Sequence, residues 1–415
     1  MTPRSPLVAG LFANRLLAPL IVGMAVVVAL ANAWLLSHPW LVRKLGITDF
    51  QDFYVAGKLA LQGRAECAYV WECLRMAQIA EFGRWEYMPW AYPPQFTALV
   101  AGFATIPHAV SFTIFVLSTF ALFAFAIFRL GGRYAAFGLA LTMPAILINL
   151  RCGQNGFLTA GLIGTFAWAF LNRRDHGGLA LGAMIVKPHL AVASAVAVLL
   201  RRRWGIALWA AAVVIGSVIG VTLWLGAGIW LAFRHASEAS AGLLWQGQFP
   251  IERMTSVFAM VHRFGATPTV AMAAHVAVAG ATLAGLAAYS RRCADERVLL
   301  SASTAATVLI SPYNYDYDLT ILAVALAMIA PVIINRITAA EVLVLGLLSW
   351  LSAANFAIMM TALTYVAEIN HHRQVWTVSA LCIFGMVAIV ANVLRRPEAQ
   401  PDRAARLQEL PASEG

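Results

Sequence analysis

Hydrophobic positions in this chain run on without a polar face. Apolar stretches lie at about 16–37, 108–128, 134–150, 154–171, 204–226, 268–290, 317–335, 338–362 and 374–394, with a shorter one, about 297–311, ending at Ser311-Pro312. A helix needs about 20 apolar residues to cross a hydrocarbon core of roughly 30 Å, so these stretches predict membrane spans. Two further apolar segments fit less simply. One, about 94–106, lies between Pro94 and Pro107 and is too short to cross. The other, about 178–200, carries Lys187-Pro188 in its middle, a charge next to a helix breaker. The pattern predicts an all-α polytopic membrane protein of about 10–12 transmembrane helices, re-entrant or broken near 94–106 and 178–200. The organisation it implies is one membrane domain over 1–394, with outer loops at about 38–93 and 227–267. A Pro-, Ala- and Glu-rich tail over 395–415 reads as disordered.

Composition excludes the alternatives. With 61% hydrophobic and only 12% charged residues, 415 residues cannot cover a water-soluble surface, and there is ample apolar area to exclude disorder. The net charge of +10 is topological rather than a sign of nucleic acid. If 178–200 goes in and comes back, seventeen of the 29 Lys and Arg residues collect at one set of span ends, Arg129, Arg133, Arg173, Arg174, Arg201, Arg202, Arg203, Arg291 and Arg292 among them. Treating 178–200 as an ordinary span inverts everything after it. The interrupted reading puts both termini in the cytoplasm and the outer loops outside a cell (inner) membrane. Ala31-Asn32-Ala33 resembles a signal-peptidase site, but the apolar run continues through Leu36 and reads as an uncleaved span. Trp34, Trp85 and Trp90 read as interfacial. Cys67 and Cys73 share the first outer loop, where a disulfide can form unless both lie on one helix; no Cys or His spacing suggests a metal, and no cofactor is expected.

The unusual polar clusters all fall at outer ends of spans. They are Thr48 to Gly57, Ala91-Tyr92-Pro93-Pro94, Arg151-Cys152-Gly153-Gln154-Asn155-Gly156, Lys187-Pro188-His189 and Ser311 to Asp318. Ionisable groups at membrane depth are costly and mark functional sites, so their convergence predicts one outward-facing cavity. No nucleotide sugar or ATP exists outside the cytoplasm, so a transfer there must draw on a donor already in the bilayer. A rim carboxylate can take a proton from a hydroxyl, and cations such as Arg151 and Lys187 can hold a departing phosphate.

Asp49-Phe50-x-x-Phe53-Tyr54-x-Ala56-Gly57, Tyr92-Pro93-Pro94, Gly153-Gln154-Asn155-Gly156, Lys187-Pro188 and Ser311-Pro312-Tyr313…Tyr317-Asp318-Leu319, in this order, resemble glycosyltransferase family 87. The resemblance runs from Asp49 to Leu319. It implies a GT-C-type enzyme that transfers a hexosyl group, mannosyl in the family, with inversion from a polyprenyl phosphate to a lipid or glycan acceptor. Asp49 then corresponds to the catalytic carboxylate. The family pattern has Gln after Lys-Pro, where this chain has His189.

Candidate substrate contacts are Lys187, His189, Arg151, Gln154, Asn155, Asp318, Tyr92 and Asp52. Each has a structural alternative. Asp49 and, more so, Asp52 could cap a helix starting near Phe53. Gly153 to Gly156 could be a plain turn, Arg151 a headgroup anchor, Asp318 a structural partner of Arg151 or Lys187, and Tyr92-Pro93-Pro94 the shape of a re-entrant turn. Asp316-Tyr317-Asp318 spells a metal-binding Asp-x-Asp, which we do not assign to a metal. The rival functions are a transporter or flippase of a lipid-linked or small polar solute, which shares broken helices and intramembrane charge, and a transferase of another lipid-borne group.

Overall fold

The structure, a computed structural model, describes residues 5–38, 48–292, 294–366 and 376–397, with side chains omitted at 356 and 359–366. All but the first three residues of the tail expected to be disordered lie outside these. The described residues form helices and no strands. A short helix α1 (Pro6–Phe12) precedes α2 (Leu17–Leu36), the first span. The outer segment then folds as α3 (Asp49–Leu61) and α4 (Trp71–Phe82). Next come α5 (Pro94–Phe103), α6 (His108–Gly131), α7 (Ala135–Leu141), α8 (Met143–Cys152) and α9 (Gly156–Leu171). The interrupted segment forms α10 (Gly177–Ala183) and α11 (Val192–Leu200). It is followed by α12 (Trp204–Leu225), α13 (Gly228–Trp245) and α14 (Val257–Arg263). Finally α15 (Pro268–Arg292), α16 (Glu296–Ile310), α17 (Thr320–Ile333), α18 (Ala339–Val366) and α19 (Ser379–Leu394) complete the bundle.

Five of the described helical stretches are long and apolar enough to cross a membrane alone: α2, α6 with α7, α12, α15, and the stretch from Asp316 through α17. The chain is a multi-pass helical membrane protein. α17 is almost wholly buried and forms the centre, whereas α2, α12 and α15 expose most of their apolar side chains, as lipid-facing helices do. The predicted span 134–150 is in fact two helices, because Pro144 lacks an N–H and opens a new helix at Met143.

The two awkward segments behave as their sequences demand. Arg203 reaches Asp175 at 3.6 Å and the Phe170 carbonyl at 3.4 Å, so α10 and α11 start and end at one level with Lys187 at their turning point. At 1.5 Å per residue the nine residues of α11 cover only about 14 Å, half a bilayer. α5 is equally short, and the chain beyond it stays near α3: Tyr54 donates to the Ile106 carbonyl at 3.0 Å, and the His108 ring lies 5.2 Å from that of Tyr54. Both segments therefore return to the end from which they came. The arginine-bearing helix ends gather at the opposite pole. There Arg173 pairs with Glu296 at 3.0 Å, Arg297 donates to the Leu130 carbonyl at 2.7 Å, and Arg396 pairs with Glu341.

Candidate active site

At the pole away from those arginines, parts of α3, α13 and the turns before α5, before α9, at Lys187, near Arg253 and before α17 enclose a cavity of about 500 Å³. Asp49 and Asp52 both line it. The helix that carries them begins at Asp49, four residues earlier than Phe53, and Thr48 is its N-cap: the Thr48 N–H donates to the Gln51 side chain at 2.8 Å. Neither aspartate is therefore used as the cap, and both sit in the first turn, where the helix dipole favours negative charge.

Asp49 accepts a hydrogen bond from the Gln154 amide at 3.0 Å. The orientation of Gln154 follows from its neighbour, because its Oε1 accepts from the Asn155 N–H at 2.8 Å and leaves Nε2 to face Asp49. Tyr92 Oη lies 3.3 Å from the same amide. Tyr92 is held in turn by Tyr69, which donates to its carbonyl at 3.0 Å. Tyr69 stands on the turn that Cys67 and Cys73 staple: the two are disulfide-bonded, with Cα atoms 5.4 Å apart, Cys67 before α4 and Cys73 on it. Trp90, expected at the interface, is instead buried and donates to Thr97 at 3.0 Å, while Trp34 and Trp85 are exposed.

Asp52 is buried, and Gln78 of α4 donates to it at 2.9 Å. Burial, aided by the nearby Asp49 charge and opposed by the Gln78 hydrogen bond, pushes its carboxyl up to about 7. Asp52 is thus partly protonated at neutral pH, and the rim carries less negative charge than two carboxylates would impose.

Two cations line the cavity, each tied to a carboxylate. Lys187 bonds both oxygens of Asp318 at 2.6 and 2.9 Å and lies 4.9 Å from the centre of the Tyr317 ring. Asp318 itself is fully buried behind it, so the structural pairing weighed for Asp318 is present and its partner is Lys187. Arg253 grips Asp316 with two hydrogen bonds of 3.0 and 2.9 Å. The acids of Asp316-Tyr317-Asp318 therefore answer two different cations. Among the described residues no cluster of His, Cys, Asp and Glu could hold a metal.

Arg253 was not legible in the sequence. It sits in the second outer loop without a motif, and enters the site because that loop pairs with the approach to α17: Met254 bridges to Tyr315, and the Thr255 N–H donates to the Asn314 carbonyl at 2.9 Å. Gln78 also carries no motif, and it meets Asp52 because α4 packs beside α3. Among the predicted residues, Asp49, Asp52, Tyr92, Gln154, Lys187 and His189 line the cavity. His189 leaves Nε2 without a hydrogen-bond partner there. Arg151 is exposed on the last turn of α8 and does not line it, and Asn155 is fully buried behind Gln154.

The turn before α9 leans on glycine. Gly153 has φ +64°, and an added Cβ would lie 2.7 Å from Phe50 and Phe112. At Gly156 a Cβ would lie 2.4 Å from the Tyr317 carbonyl. That contact lets Asn149 donate to Tyr317 at 2.7 Å and accept from the Gly156 N–H at 3.0 Å, which locks the Gln154 turn to the segment carrying Asp316 and Asp318.

A hydrogen-bonded carboxylate beside two cations, walled by Phe53, Tyr92, Phe249, Tyr315 and Tyr317, can deprotonate a hydroxyl and balance an anionic leaving group. Comparison with known families matches residues 90–312 to the model of glycosyltransferase family 87, more than half of the 415-residue chain. The match takes in Tyr92, Gln154, Lys187, His189 and Arg253; Asp49, Asp52, Asp316 and Asp318 lie outside it. Comparisons with curated proteins and with solved structures return no match. A multi-pass membrane protein whose central region carries the family pattern and whose conspicuous polar groups share one cavity belongs to glycosyltransferase family 87.

Proposed function

We propose that the protein is an inverting hexosyltransferase, mannosyl by its family, that takes its sugar from a polyprenyl phosphate and delivers it to a lipid or glycan hydroxyl on the extracytoplasmic face. In this reading the chain is a single membrane domain in the cell membrane with both termini cytoplasmic, and it needs no cofactor. The observation that carries the reading is the meeting of Asp49 with Lys187 and Arg253 in one cavity.

The acceptor oxygen attacks the anomeric carbon while its proton passes to Asp49. The bond from that carbon to the phosphate oxygen breaks on the opposite face, and polyprenyl phosphate departs with the electron pair. Lys187 and Arg253 meet the charge that develops on it. Each cation is already paired with an aspartate, which keeps it in place before the donor arrives. Tyr92 and Gln154 orient Asp49, and the free nitrogen of His189 offers one further contact to the donor.

The test is sugar transfer by purified protein in liposomes supplied with polyprenyl-phosphomannose. Asp49→Asn is expected to lower turnover by a factor of about 10² to 10⁴, the range a positioned base contributes, while donor binding stays close to that of the unmodified protein. Wild-type turnover in that variant would remove the base assignment. Movement of the lipid across the bilayer without any transfer would favour the transport reading, and a preference for a pentose donor would change the sugar.

A further inference from the structure

A second cavity of about 560 Å³ lies between α15, α16, α17 and α19, away from the active site. Its walls are apolar, with Leu286, Ala302, Leu326 and Val390 from the four helices in turn, and its far end is closed by Tyr289, Leu394 and Arg395. α19 begins beside the active-site pole, where Thr377 donates to the Met254 carbonyl at 3.0 Å, so the Arg395 end of the trough is at the arginine pole. From Ile383 to Arg395 the trough follows twelve residues of helix, about 18 Å, which is close to the depth of one leaflet.

Its mouth is positively charged. Arg395 lines it and is exposed, and Arg291 and Arg292 are exposed on the last turn of the adjoining α15. Among the described residues, the acidic groups beside this mouth are otherwise engaged. Asp295 accepts from the backbone at the start of α16, Glu296 pairs with Arg173, and Glu341 pairs with Arg396. Among the described residues no carboxylate lines the trough.

We infer that this trough is a binding site for one anionic phospholipid of the adjacent leaflet, an acyl chain along α19 and the phosphate at Arg395 within the field of Arg291 and Arg292. The inference depends neither on the transfer reaction nor on which membrane face the arginine pole occupies. A one-leaflet apolar trough holds an acyl chain by close van der Waals packing against its helix walls, and a basic rim selects the negative headgroup.

Native mass spectrometry of the purified full-length chain, exchanged from detergent into phosphatidylglycerol or phosphatidylcholine of identical chains, reads this directly. One phosphatidylglycerol is expected to remain per chain, with a preference of roughly tenfold over phosphatidylcholine. The combined Arg291→Gln, Arg292→Gln and Arg395→Gln variant is expected to bring the two lipids to parity. Ala302→Phe, at an exposed wall position, is expected to abolish retention of both. Thermal unfolding checks that the variants are folded, and if Ala302→Phe is not, the arginine variant decides alone. Equal retention of both lipids by the unmodified chain, an unchanged preference in the arginine variant, or retention only of polyprenyl phosphate would overturn the inference. So would dimer formation that excludes lipid from the trough.

Discussion

At the scale of single residues, burial decides what the polar groups of the site can do. Lys187 and Asp318 are both withdrawn from solvent, and each is the partner that offsets the other's burial. Lys187→Ala would leave a buried carboxylate unpaired and is expected to cost about 3–5 kcal/mol as well as activity. Replacing both partners, Lys187→Met with Asp318→Leu, is expected to return stability to within about 1 kcal/mol of the original while transfer stays lost. Thermal unfolding beside the liposome assay separates the two effects. Asp52 gives the pH dependence. Its carboxyl is raised in the folded chain from 3.8 to about 7, so between those values the folded state holds a proton that the unfolded state has released. Its contribution to stability is therefore complete below pH 3.8 and is lost as pH rises toward 7. Asp52→Asn is expected to flatten that part of the stability curve and to gain on the order of 4 kcal/mol at pH 8 relative to the parent. Unfolding midpoints at pH 5 and pH 8 measure it, and an equal fall with pH in the variant would place the titration elsewhere.

At the scale of elements, close backbone approach does the positioning. The α9 turn, the Asp316–Asp318 segment and α8 meet at Gly156, with Asn149 satisfying groups on both sides. Gly156→Ala must push the Tyr317 carbonyl away from a Cβ that would start 2.4 Å from it. It is expected to destabilise by about 1–3 kcal/mol and to loosen the Lys187 pair. Gly216 on α12 has open space around it, and there the same change is expected to stabilise by about 0.5–1 kcal/mol, since only the helix preference acts. Thermal unfolding of the two variants side by side tests whether packing or propensity governs each position. Much of the element pattern was readable in advance: most apolar helices, the short segment at 94–106 and the break at Lys187-Pro188 follow from apolar length and a missing N–H, whereas the break at Pro144 inside 134–150 was not expected. The start of α3 was not, because Asp49, Asp52 and Thr48 are all good caps, and only the three-dimensional geometry shows that Thr48 is used.

At the scale of the whole molecule, the chain separates its charges. Arg173, Arg203, Arg297 and Arg396 gather at the pole away from the site, while the site's own cations, Lys187 and Arg253, are tied to Asp318 and Asp316; an excess of Lys and Arg on one side is the asymmetry that orients a membrane protein. In the proposed orientation the active-site pole is outside. With Cys152, Cys293 and Cys382 replaced by Ser, a Glu86→Cys variant is expected to react with a membrane-impermeant thiol reagent in intact cells, and an Arg133→Cys variant only after the membrane is opened. The reverse pattern would invert the topology and move the proposed reaction to the cytoplasmic face.

The amino-acid sequence by itself determined the class of molecule, because long apolar runs and sparse charge admit few ways to satisfy backbone hydrogen bonds in a bilayer. It also marked Lys187, since a charge inside an apolar run is costly enough to stand out, while Asp49 and Gln154 were marked by the polar clusters and the family resemblance they carry. Tertiary structure alone decided who their partners are. Arg253 and Gln78 lie in segments with ordinary local patterns, and they join the site through contacts with Asp316 and Asp52, residues far from them in the chain. Arg151 shows the converse: its motif drew attention to it, but the last turn of α8 faces it away from the cavity. Local sequence fixes periodicity and cost, whereas which side chains share a cavity depends on how the helices pack.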